Sequence, residues 1–132
     1  ANVSSMGGFL PVPGQSMYGA SKAAVKLFTE GLYTELRDTD VRVTVIFPGA
    51  IGTDIAVNSG VAGDMDLEAG GEDVGSDPLP ADEAARKILD GIEQDRFRVL
   101  IGSDARTMDF LYRLAPKRAA HLIFNQMKSL LS

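Results

Sequence analysis

Residues 41–47, VRVTVIF, are β-branched and carry apolar side chains at both parities toward the end of the run. Such a run suits a strand of a parallel sheet, buried on both faces. Pro48 and Gly49 stop it. FRVLI at 97–101, closed by Gly102, predicts a second strand, and residues 1–4 read as the remains of a third. Between them the apolar period changes from two to about 3.6. Over 16–37, Met17, Ala20, Ala24, Leu27, Phe28, Leu32 and Leu36 step by three and four, giving one stripe of a helix for which Ser16 can serve as N-cap. Over 81–94, Ala84, Ala85, Ile88, Leu89 and Ile92 share a face, with Asp82 and Glu83 in the first turn, where the helix dipole favours negative charge. Strand, helix, strand, helix, strand argues for βαβ crossovers and a parallel sheet. Residues 104–114 and 117–131 predict two further helices, broken at Pro116.

The fold class expected is therefore α/β, with the last three strands of a doubly wound parallel sheet, flanking helices and a C-terminal helical tail. At 132 residues the chain is one domain at most. It opens on ANVSS with no initiator Met, the end of a strand running into a loop, so it is expected to begin inside a domain. Residues 58–80 hold five glycines and many acids with little periodicity, directly after a strand end. A long insert at that edge reads as a substrate lid rather than a passive loop.

Composition narrows the chemistry. With no cysteine, disulfides and thiolate catalysis are excluded, and the single His121 cannot build a histidine metal cluster, so no metal site is expected. The net charge of −5 disfavours nucleic acid and anionic membranes as partners. No apolar run approaches the roughly 18 residues of a membrane span. With no secretory signal visible, the cytoplasm is the expected compartment. The acids of 64–73 lack the alternate spacing of a calcium loop, and no Gly-x-Ser-x-Gly elbow occurs.

Tyr18 and Lys22 lie four positions apart on the first helix and so share a face. An ammonium beside a phenol stabilises the phenolate, and a tyrosine tuned in this way can exchange a proton with an alcohol or a developing alkoxide. Taken alone the pair is weak, and two surface residues one turn apart would look the same. Ser5, 13 residues before Tyr18, ends the strand remnant, where its hydroxyl can reach a substrate carbonyl beside the tyrosine. FPGAIGT, 47–53, puts the backbone of Ile51 and the hydroxyl of Thr53 at the carboxyl edge of the sheet. Those are donors and acceptors of the kind a carboxamide needs.

In order and spacing, Ser5 in NVSS, Tyr18 and Lys22 in YGASK, and Pro48, Gly49 and Thr53 in PGAIGT resemble the C-terminal half of a short-chain dehydrogenase/reductase, over at least residues 1–101. The resemblance implies that Tyr18 is the general acid/base. It implies that Lys22 tunes Tyr18 and binds the nicotinamide ribose, and that Ser5 orients the substrate. Pro48, Gly49, the Ile51 backbone and Thr53 would hold the nicotinamide carboxamide, with Tyr18 and Lys22 part of the same cofactor site. The cofactor would be NAD or NADP and the substrate a small alcohol or ketone. A homo-oligomer is expected, since the helix at 16–37 belongs to the family's dimer surface.

The family's Thr-Gly-x-x-x-Gly-x-Gly turn, its Asn-Asn-Ala-Gly motif and the Asn of its catalytic tetrad have no counterpart here. Without that turn no helix N-terminus is present for the pyrophosphate. The expectation is an oxidoreductase fragment that lacks full cofactor affinity. The competing expectation is an inactive remnant kept as an oligomerisation or binding module.

Overall fold

The computed structural model describes residues 1–53 and 78–131. Most of the expected lid, residues 58–77, lies outside the described residues.

Strand β2 (Val45–Pro48) is the centre of the molecule. Parallel partners flank it on both sides, β1 (Asn2–Val3) and β5 (Arg98–Ile101), with Asn2 opposite Val45 and Val45 opposite Arg98. Val45, Ile46 and Phe47 are at most 1% exposed, so the two-sided burial expected from their apolar run is found. Each such side chain contributes about 1.5–3 kcal/mol of burial free energy. The strand is shorter than the 41–47 predicted. Its neighbours set its length: Val45 pairs with the second residue of the chain, and β5 starts only after a tight turn in which Asp95 takes φ 52°. Val43 and Thr44 are still buried, and Thr44 O accepts from Asn2 N–H at 3.0 Å.

Just past β2, the short β3 (Ile51–Gly52) pairs in parallel with β4 (Leu79–Pro80), a two-stranded sheet that the sequence pattern did not announce. Helix α2 (Ala81–Glu93) follows at once and covers one face of the main sheet. Ile46, Val99, Ile101 and Ala84 form that core, with Ile51, Leu79 and Ile88 packed against it. The inward row of α2 is buried Ala84 and Gly91 with partly buried Ile88, while Ala85, Leu89 and Ile92 are exposed, so its inward stripe is narrower than expected.

Helices α3 (Ser103–Leu114) and α4 (Pro116–Met127) form a hairpin, and a 3₁₀ turn at Lys128–Leu131 replaces the end of the predicted last helix. Pro116 opens α4, where its missing N–H costs nothing. Met108, Ile123 and Met127 enclose Leu10, so the hairpin packs on the segment that follows Ser5. Phe47 is covered by an edge-on contact with Phe9 at 5.4 Å and by the Arg98 guanidinium at 4.8 Å from its ring centroid.

Helix α1 (Ser16–Glu35) departs most from expectation. Ser16 is its first residue rather than its cap; Gln15 holds the cap position without a side-chain bond. The predicted apolar stripe is not turned to the sheet: Met17, Leu27 and Phe28 are 84%, 69% and 63% exposed. The buried side chain is Thr29, which donates to Val25 O and accepts from Asn2 Nδ2 at 3.1 Å. The docking is polar because Asn2 of β1 and Ser4 just after it face the helix.

Candidate active site

The site is assembled where β1 and β2 end together. Ser4 N–H donates to Ile46 O at 2.8 Å and Gly49 N–H to Ile101 O at 2.8 Å, so parallel pairing brings Ser5 and Pro48–Gly49 to one carboxyl edge. Ser5 then caps a 3₁₀ turn, Met6–Gly8, accepting the Gly7 N–H on its Oγ at 3.2 Å. This turn lies flat on α1, and two glycines allow it. The Cβ that Gly7 lacks would stand 3.1 Å from Tyr18 Cε1, and that of Gly8 would stand 2.9 Å from Lys22 O. Beneath Gly8, Ser4 Oγ donates to Lys22 O at 2.7 Å.

The outcome for the first three predicted residues is convergence. Tyr18 Cε1 and Ser5 Oγ, the latter at 3.7 Å, lie around the same point on Gly7. Lys22 Nζ is 5.8 Å from the centre of the Tyr18 ring, so amine and phenol occupy one side of the helix. Tyr18 is 46% exposed, open to a ligand, whereas Lys22 is half-buried.

The second predicted group stands at the end of β2. Ile51 turns its side chain into the α2 core, and Leu79 N–H donates to Ala50 O at 3.1 Å. Gly52 and Thr53 are exposed at the same edge. Sequence reasoning missed the parts that hold these groups: Ser4, Gly7 and Gly8 under the tyrosine, and Asp104, whose Oδ2 accepts the Ala50 N–H at 2.9 Å. The Ser-Ser-Met-Gly-Gly run was the available signal for the first three. Asp104 gave none, being 54 residues from its partner.

A cavity of about 980 Å³ lies between α1, the 9–15 segment and the α3–α4 hairpin, lined by Phe9, Val12, Ala23, Arg98, Tyr112 and Phe124 among others. Gly7 and Gly8 reach it, but Ser5, Tyr18 and Lys22 do not line it, so it lies apart from the convergent groups. Asp109 at its wall bridges Arg98 at 2.9 Å and Arg113 at 3.0 Å. Among the described residues no cluster of three potential metal ligands occurs, and no helix is long and apolar enough to cross a membrane.

Residues 1–62 match the family profile of the short chain dehydrogenases. The chain is 38% identical over 117 residues to the putative oxidoreductase SadH of Mycobacterium tuberculosis, covering 86% of this chain and 42% of that protein. It is 34% identical over 116 residues to dehydrogenase/reductase SDR family member 7B of Rattus norvegicus, covering 87% of this chain and 35% of that one. Its fold resembles a short chain dehydrogenase from Burkholderia cenocepacia, solved in complex with NADP, with a TM-score of 0.72 at 24% identity over 92% of this chain and 45% of that one. The chain thus spans less than half the length of the relatives it matches. It belongs to the short-chain dehydrogenase/reductase family and shares the fold of its solved members.

Proposed function

We propose that this chain carries the proton-transfer half of an NAD- or NADP-dependent oxidoreductase acting on a carbonyl/alcohol pair. The observation that carries the reading is that Ser5 Oγ and the Tyr18 ring meet around Gly7 while Lys22 Nζ stands 5.8 Å from the centre of that ring.

The family resemblance suggests the roles, and the geometry is compatible with them. Ser5 Oγ already accepts the Gly7 N–H, which leaves its own O–H to donate to a substrate carbonyl oxygen. Tyr18 gives its phenolic proton to the same oxygen as that oxygen gains negative charge, and takes a proton back in the reverse direction. Lys22 stabilises the phenolate left behind. When bound, the nicotinamide supplies or takes up the hydride. By the family resemblance its nicotinamide end would be held by Lys22 at the ribose and by Pro48, Gly49, Ile51 and Thr53 at the carboxamide. The relatives named as oxidoreductases, and the neighbour solved with NADP, support the same chemistry.

A titration with NADH and NADPH, followed by assay of NADPH oxidation against a panel of small aldehydes and ketones, tests this. Measurable binding below millimolar cofactor, with carbonyl-dependent oxidation, is the expected result. Absence of binding at millimolar cofactor overturns it.

A second reading is a non-catalytic oligomerisation or binding module. It is favoured by the exposed Met17, Leu27 and Phe28 on α1. It predicts self-association that Leu27→Glu and Phe28→Glu disrupt, together with no cofactor binding; sedimentation velocity separates the two readings.

A further inference from the structure

A carboxylate is held inside the loop that follows the central strand. Asp104 is 8% exposed, although desolvating an ionised carboxyl costs several kcal/mol. Three features of the chain converge to keep it there. Its Oδ2 accepts the Ala50 N–H at 2.9 Å. Gly49 lies directly against it, so close that a Cβ on Gly49 would overlap both carboxylate oxygens. Gly102, at φ 100°, turns the chain from β5 into α3 and leaves the same room on the other side. This φ is one that residues with side chains rarely adopt. Asp104 itself stands in the first turn of α3, where the helix dipole favours negative charge. A hydrophobic residue would fill this space without the desolvation cost; the carboxylate does something a hydrophobe cannot, which is to fix a backbone N–H.

We infer that Asp104 is a positioning residue: its buried carboxylate ties the backbone of Gly49–Ala50 to the start of α3 and so sets the loop that meets the ligand carboxamide. The inference rests on the functional reading above, but the tie itself does not. With Ala50 N–H held by Asp104, Gly49 N–H by Ile101 O and Ala50 O by Leu79 N–H, the backbone between Pro48 and Ile51 is held from both sides. The loop is therefore ordered before any ligand arrives, which lowers the entropy lost on binding. The same tie makes the cofactor edge depend on the hairpin that follows β5, a part of the chain that holds none of the expected site residues.

The test compares the full chain with Asp104→Asn, which keeps the shape and one acceptor oxygen, and Asp104→Ala, which removes the acceptor. Amide hydrogen exchange reads the tie. Exchange at Ala50 is expected to accelerate in the order wild type, Asn, Ala, while Val45 N–H, bonded to Phe97 O at 2.9 Å, is unchanged in the folded variants. NADPH titration reads the consequence: Kd rises about tenfold in the Ala variant and less in the Asn variant. If the Ala variant does not fold, the Asn variant decides. Unchanged exchange at Ala50 in a folded variant overturns the tie. Faster exchange with unchanged NADPH affinity overturns the positioning role. A wild-type chain that does not bind NADPH overturns the functional reading and the carboxamide role together, while exchange at Ala50 still decides the tie.

Discussion

A Cβ on Gly7 would stand 3.1 Å from Tyr18 Cε1, so the phenol ring rests on bare backbone. A methyl group there needs a shift of a few tenths of an ångström, and a branched side chain needs far more. Gly7→Val is expected to displace the ring and cost roughly 1–3 kcal/mol of overpacking. Carbonyl reduction should fall more steeply in Gly7→Val than in Gly7→Ala. Equal activity of the two variants would remove Gly7 from the support of Tyr18.

Tyr18→Phe removes one exposed hydroxyl and leaves the ring against Gly7. Stability in urea should stay within about 0.5 kcal/mol of wild type. Carbonyl-dependent NADPH oxidation should drop by about 10²–10⁴-fold, the usual contribution of a positioned acid/base. Turnover near the wild-type rate would assign proton transfer elsewhere.

Two helical glycines make opposite predictions. Nothing lies within 4 Å of a Cβ built on Gly31 in α1, so Gly31→Ala should stabilise by about 0.5–1 kcal/mol. A Cβ on Gly91 in α2 would stand 2.5 Å from Val99 Cγ2, so Gly91→Ala should destabilise by roughly 1–3 kcal/mol despite better helix propensity. Chemical denaturation of both variants checks the signs.

Asp109 holds two arginines of unequal worth. Arg98 is 18% exposed and stacked on Phe47, whereas Arg113 is 57% exposed. Asp109→Ala leaves the Arg98 charge unpaired beside the core and should cost about 3 kcal/mol. Arg113→Ala should cost less than about 1 kcal/mol. A similar loss from both variants in the same denaturation series would mean that the Arg98 pair carries no special weight.

The strands and helices could be read because each rests on local signals. A run apolar at both parities between turn residues reads as a buried strand wherever it lies, and both β2 and β5 were found. Their ends were less legible: Val41–Val43 have the right residues but lack strand partners, and β3–β4 pairs two residues with two across a long insertion. The face of α1 was misleading for a related reason. Counting apolar positions selects Met17, Leu27 and Phe28, but Asn2 of β1 and Ser4 just after it take Thr29 and the Lys22 carbonyl of α1 instead. Hydrophobic periodicity cannot anticipate a polar dock.

What the chain's own order of residues determined is the βαβαβ succession and the shared side of Tyr18 and Lys22, because helix pitch and strand alternation act over a few residues. Tertiary structure alone decided that a glycine turn would seat Ser5 beside that tyrosine, and that Asp104 would hold the Ala50 amide from 54 positions away. Those contacts exist only once parallel pairing brings distant strand ends to one edge, and no local pattern encodes which segments will meet there.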